Sequence, residues 1–152
     1  MKKLYSFLAA IFAMVAVYSQ STLSIIQTPA NSGIYKITYN DEANGWAFYN
    51  PGTGNPIGVY LWLNGADNST GSSYNDSFSN ITTQLTWEGT NYTGVLNLNT
   101  HNFNNMGGVL PAGTVVTQLH FLFTEYPVGN SAHQTTDKLA TDYGFTTTNT
   151  SF

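Results

Sequence analysis

Cysteine and arginine are absent from this chain, and charged residues make up only 8% of its 152 positions. Without cysteine there is no disulfide framework, the usual support of small exported domains, and no thiolate to bind zinc or attack a substrate. A lipoprotein leader is excluded for the same reason, because it needs a cysteine at its cleavage site to carry the lipid. The cations number four, all lysines, against eight Asp and Glu, for a formal net charge of −4. Nucleic-acid binding rests on Lys and Arg neutralising phosphates, so that class of partner is excluded, and anionic membrane surfaces are disfavoured on the same ground. No apolar run reaches the roughly 20 residues that cross a bilayer, so membrane insertion is not expected.

What the chain does have begins at its N-terminus. Lys2 and Lys3 precede an uncharged apolar stretch from Leu4 to Val17, and Ser19 follows as a small residue before Gln20. That order of basic, apolar and small residues is a secretory signal peptide. We expect residues 1–19 to be removed and residues 20–152 to form one domain, secreted or periplasmic. Two of the four lysines leave with the signal, so the remainder is more acidic still. Solubility then rests on Asn, Thr, Ser and Gly, and the core on aromatic residues, which are 14% of the chain and supply large apolar area per side chain.

Several segments alternate with a period of two, the pattern of a half-buried strand. Ile34 to Tyr39 sets Tyr35, Ile37 and Tyr39 on one face. Ile57, Val59, Leu61 and Leu63 oppose Gly58, Tyr60 and Trp62. Ile81 to Trp87 alternates strictly, and Glu88-Gly89-Thr90-Asn91 turns it into a hairpin with Tyr92 to Leu98. Val115 to Thr124 reads as one long strand with Val115, Thr117, Leu119, Phe121 and Phe123 inward, and Trp46 to Tyr49 as a short aromatic strand. Clusters of Gly, Asn, Asp, Pro and Ser between these runs are turn formers. The helical period is missing, apart from one possible turn within Thr135 to Thr141. The reading is all-β: an antiparallel β-sandwich, immunoglobulin-like or jelly-roll-like, with a barrel as the alternative.

Catalysis needs a nucleophile with a base, a carboxylate pair or a metal centre. His101, His120 and His133 are far apart and lack zinc-ligand spacing; His120 reads as an outward strand residue and the other two as loop residues. The eight carboxylates are scattered, and a pair for glycoside hydrolysis would have to come from different strands. We expect no enzyme activity, no catalytic residues and no required cofactor. The loop Asp67 to Asp76 offers Asp67, Asn68, Asn75 and Asp76 as oxygen ligands for Ca²⁺ but lacks the spacing of an EF-hand, so a plain Asx-rich turn is the simpler reading.

The aromatic residues say the most about function. Flat rings stack on the apolar C–H faces of sugars while amides and carboxylates bond the hydroxyls. Tyr60 and Trp62 lie opposite the core face of their strand, and Trp46 sits beside a turn-rich segment. These three form the expected platform, with Asn64, Asp67 and Gln118 as hydroxyl partners. The segments Val59-Tyr60-Leu61-Trp62-Leu63-Asn64-Gly65, Trp87-Glu88-Gly89 and Leu110-Pro111-Ala112-Gly113-Thr114-Val115-Val116-Thr117-Gln118-Leu119-His120-Phe121-Leu122-Phe123 resemble the small β-sandwich modules that bind starch-like glycans in surface polysaccharide-utilisation systems. The resemblance spans Ile34 to Phe123 and departs where Thr124-Glu125-Tyr126-Pro127 replaces an Arg-containing turn. It implies a β-sandwich that binds a polysaccharide or other glycan without acting on it. The competing expectation is a structural or adhesive subunit that self-associates through exposed strand edges.

Overall fold

A computed structural model describes residues 21–46, 48–49, 51–52, 54–68 and 71–150; the expected signal segment lies outside them. Twelve strands follow one another among the described residues: β1 (Thr22–Gln27), β2 (Ile34–Asn40), β3 (Ile57–Leu63), β4 (Tyr74–Asn75), β5 (Thr83–Trp87), β6 (Tyr92–Asn97), β7 (Asn102–Phe103), β8 (Gly108–Val109), β9 (Val115–Val116), β10 (His120–Thr124), β11 (Lys138–Leu139) and β12 (Thr148–Asn149). Three single 3₁₀ turns interrupt them at Glu42–Asn44, Gly65–Asp67 and Ala140–Tyr143. No α-helix occurs among the described residues, and none of their helical segments is long and apolar enough to cross a membrane.

Eight strands form one antiparallel sheet in the order β1-β2-β6-β5-β3-β10-β11, with β4 beside β3; β9 with β12 and β7 with β8 make two small ribbons. The sheet curls strongly, and β5 is its corner. Thr83 to Leu85 of β5 pair with β3, whereas Thr86 and Trp87 pair with β6, so the strand hands the sheet from one half to the other along its own length. Gly94 of β6 permits the tight bend: a Cβ there would run into the Gln84 carbonyl and the Leu85 side chain, the close backbone approach for which a strand glycine is used. The all-β antiparallel expectation is thus met by one sheet folded over on itself.

The alternation that marked the strands also fills the core. Ile57, Val59, Leu61 and Leu63 of β3, Phe121 and Phe123 of β10, Tyr35, Ile37 and Tyr39 of β2, and Leu85, Tyr92 and Leu96 all point inward and are buried. Each large apolar side chain so buried stabilises the fold by about 1.5–3 kcal/mol, which supports a cysteine-free domain. The hairpin turn after Trp87 is present, closed by the Glu88 N–H donating to the Asn91 carbonyl at 2.9 Å.

Two expected strands differ. Val115 to Thr124 is broken into β9 and β10, because the N–H groups of Thr117 and Gln118 leave the ladder to donate to the Asp67 carbonyl at 3.0 and 3.3 Å. The break shifts the phase of the alternation: Val116 is buried, Val115 only half-buried, and Thr117 exposed. Trp46 to Tyr49 is not a strand in its described part. Trp46 has φ of 56°, a left-handed conformation rare for a bulky residue, and its N–H bonds the Asp41 carbonyl at 3.1 Å to close the turn after β2.

Candidate functional site: an aromatic platform on the outer face of β3 and β10

Because Val59, Leu61 and Leu63 face the core, the pleat turns Tyr60 and Trp62 outward. Register places Trp62 opposite His120 and Tyr60 opposite Leu122. Trp62 and His120 stack with ring centroids 5.2 Å apart and planes 18° apart, and Tyr60 leans on Trp62 at 5.6 Å. Phe78, from the loop after β4, meets Tyr60 edge-on at 5.5 Å and walls off one end of the row. At that end the face is roofed: a Cβ on Gly58 would sit 2.6 Å from the Glu125 carbonyl. Tyr60 and Trp62 are half-buried.

The other end is held by polar groups. His120 Nε2 lies 2.6 Å from Asp67 Oδ2 and 3.2 Å from the Asn64 amide nitrogen. Asp67 Oδ2 also accepts the Asn64 backbone N–H at 2.8 Å, which makes the Gly65–Asp67 turn a fixed bracket for the imidazole. The ring of His120 is thereby oriented and Trp62 is held against it. The Tyr60 phenol has its pKa raised, by burial first and then by the negative charges of Asp76 and Asp137, so it remains a hydrogen-bond donor at neutral pH.

Trp62, Tyr60, Asn64 and Asp67 therefore come together as one surface. Trp46 does not join them. It packs against Tyr39, Trp87 and Tyr92 with ring centroids 5.9, 6.4 and 5.6 Å away, as part of a separate aromatic cluster on the core. Gln118 reaches the bracket only by its backbone. Its amide nitrogen donates to Thr141 Oγ1 at 2.6 Å, and its amide oxygen accepts from the N–H groups of Leu119 and Thr141 at 2.9 and 3.2 Å, so the side chain ties two segments together and does not face outward as a hydroxyl partner.

Comparison of the chain with protein-family models, curated proteins and solved structures finds no match. The site is accordingly read from its own chemistry.

Sequence spacing concealed a regularity among the histidines: each is paired with a carboxylate and set against an aromatic ring. Beside the His120–Asp67 pair with Trp62, His101 Nε2 meets Asp76 Oδ1 at 2.8 Å with Phe103 edge-on at 4.6 Å. His133 Nδ1 meets Glu125 Oε1, with Tyr49 stacked on the imidazole at 5.0 Å. The carboxyl of Glu125 is held below its ordinary range, chiefly by the His133 hydrogen bond and further by the Asn130 amide, against an opposing effect of desolvation. The pairs are buried to different extents. Asp76 and His101 are 0% and 7% exposed in their side chains, whereas Glu125 and His133 are 30% and 44% exposed. Only the outward position of His120 on its strand hinted at any of this in the sequence.

The oxygen donors considered for Ca²⁺ point to separate partners. Asp67 serves His120 and Asn64, while Asp76 serves His101 and the Leu61 N–H. The Asn68 amide donates to the carbonyls of Asn64 and Ser72, and Asn75 Oδ1 accepts from the Asn105 amide. Among the described residues, no three His, Asp or Glu side chains gather as a metal-binding group.

Proposed function

We propose that this is an exported, non-catalytic carbohydrate-binding protein whose site is the outer-face platform of Trp62, Tyr60 and His120. The observation that carries the reading is the Trp62–His120 stack with Tyr60 alongside, held in orientation by Asp67 and Asn64. The rings are held in place before any ligand arrives, so contact of their exposed parts with a sugar carries little ordering cost at binding. Asn64, the Tyr60 hydroxyl and the free edges of the Asp67 bracket supply hydroxyl partners at the rim. Export rests on the Lys2-Lys3 segment and the apolar run behind it.

Affinity electrophoresis of the purified protein in gels containing soluble polysaccharides tests the reading. Retardation by at least one neutral glycan is expected, with retardation lost in Trp62→Ala and kept in Trp46→Ala. The competing reading is assembly through strand edges. It draws on β1, an edge strand without a charge or a proline in Thr22–Gln27, the devices that normally keep an edge from pairing. Concentration-dependent polymerisation without retardation on a broad glycan panel would select assembly and overturn carbohydrate binding.

A further inference from the structure

The curled sheet does not close. Its two edges, β1 and β11, face each other across a seam, and at one end of the seam lies a cleft of about 660 Å³, within the range of small-ligand sites. Register explains its walls. Leu23 of β1 is opposite Tyr39 of β2, and Lys138 of β11 is opposite Phe121 of β10. Opposed residues of an antiparallel pair share a face, so Lys138 emerges on the concave, core-facing side of the sheet, where the apolar interior runs out into the seam. Leu23, Tyr39, Phe48 and Tyr143 supply the apolar lining, and the Lys138 ammonium lies 6.0 Å from the Tyr143 ring centre.

The charges of this cleft are unequal in availability. Asp41 is committed within the protein: its carboxylate takes hydrogen bonds from Ser21 Oγ at 2.9 Å, from the Asn44 amide at 2.7 Å and from the Tyr39 hydroxyl. Lys138 makes no ion pair with any described residue, and neither Gln134 nor Thr136 makes a side-chain hydrogen bond to one. Lys138 is half-buried and its ammonium has no carboxylate oxygen within 4.0 Å among the described residues, while the one carboxylate lining the cleft, Asp41, is bonded within the protein, which leaves a place for an anionic group of a ligand. The aromatic walls and the two free polar side chains suit a pyranose ring better than a wholly apolar body.

We infer that the seam cleft is a second saccharide site, specific for a uronate-bearing glycan, in which Lys138 binds the sugar carboxylate, Tyr143 and Phe48 pack against the ring, and Gln134 and Thr136 bond hydroxyls. The site lies apart from the platform of Trp62 and either can fail alone.

Isothermal titration of the purified protein with a galacturonic acid tetrasaccharide, and with its methyl ester, tests this. The acid is expected to bind about tenfold more tightly than the ester, as one charge-assisted hydrogen bond allows. That preference should vanish in Lys138→Gln, which keeps most of the side-chain length, and shrink at high salt, which screens the pair. Trp62→Ala should leave it intact. Equal binding of acid and ester, no binding of either, or an unchanged preference in Lys138→Gln would overturn the inference, as would tighter binding of an apolar carboxylate such as phenylpropionate. Loss of the acid preference in Trp62→Ala but not in Lys138→Gln would move acid binding to the platform and leave the function proposed there standing.

Discussion

Replacing Asp76 by alanine should remove a large share of this protein's stability, for a reason visible at one edge of β3. That edge is served by β5 at Ile57 to Val59 and by β4 at Trp62 and Leu63, which leaves Leu61 between them without a strand partner. Asp76 fills the gap. Its backbone N–H donates to the Leu61 carbonyl at 3.0 Å, and its Oδ2 accepts the Leu61 N–H at 3.1 Å, while Oδ1 holds His101 at 2.8 Å. The carboxylate is fully buried and the imidazole nearly so. Truncation leaves a main-chain N–H and an imidazole nitrogen buried without partners, at about 1–3 kcal/mol each. Together these give a loss of about 2–6 kcal/mol, against a total stability of about 5–15 kcal/mol typical of such domains. Asp76→Asn keeps an oxygen for the Leu61 N–H and should lose less than half as much. Urea unfolding followed by tryptophan fluorescence gives the stabilities, and hydrogen exchange at the Leu61 amide reports the local bond. If Asp76→Ala unfolds within 1 kcal/mol of the parent, on the order of an ordinary surface substitution, and the Leu61 amide stays protected, the argument is wrong.

Trp46→Ala should destabilise the fold by about 1.5–3 kcal/mol, as truncation of a half-buried aromatic packed against the core, while leaving glycan retardation intact, the reverse of Trp62→Ala; denaturation and affinity gels run on both variants separate the roles. Gln118→Ala, which frees Thr141 and the Leu119 N–H, is expected to lower the melting temperature without changing glycan affinity, and an affinity loss would restore Gln118 to the site. Since the folded-state pKa of Glu125 is depressed below the ordinary 4.5, its contribution is complete above that value and is lost as pH falls through the lowered one; melting temperatures recorded down the acid range should show this fall, and Glu125→Gln should flatten it. Tyr39, Tyr35 and Tyr92 are all raised above the ordinary 10.0 by burial, so the stability they contribute is present below that pH and lost as pH rises. Absorbance at the phenolate band should accordingly show a group of tyrosines that ionise only as the protein unfolds in alkali.

How much of this was legible beforehand depends on the range of the interactions involved. The inward rows of β2 and β3 were visible because pleat geometry ties side-chain direction to residue parity within a few positions. The outward placement of Tyr60 and Trp62 followed from the same parity. Trp46 was misplaced because a left-handed backbone at a tryptophan has no sequence signature, and its neighbours Tyr39, Trp87 and Tyr92 come from three other segments. The phase of β9 was lost for a similar reason: the Asp67 carbonyl that captures the Thr117 and Gln118 N–H groups lies 50 residues before Thr117 along the chain, and no periodicity reports it.

By itself the sequence determined the all-β class, the absence of disulfides, and the inward rows of β2 and β3, since these depend on composition and on a two-residue period. Only the tertiary structure decided that the strands form one sheet curled at β5, that each histidine meets a carboxylate, and that an open seam places Lys138 in a cleft. Those outcomes depend on contacts between distant segments, whose directions are set by register and sheet curvature and are therefore not encoded at any fixed spacing along the chain.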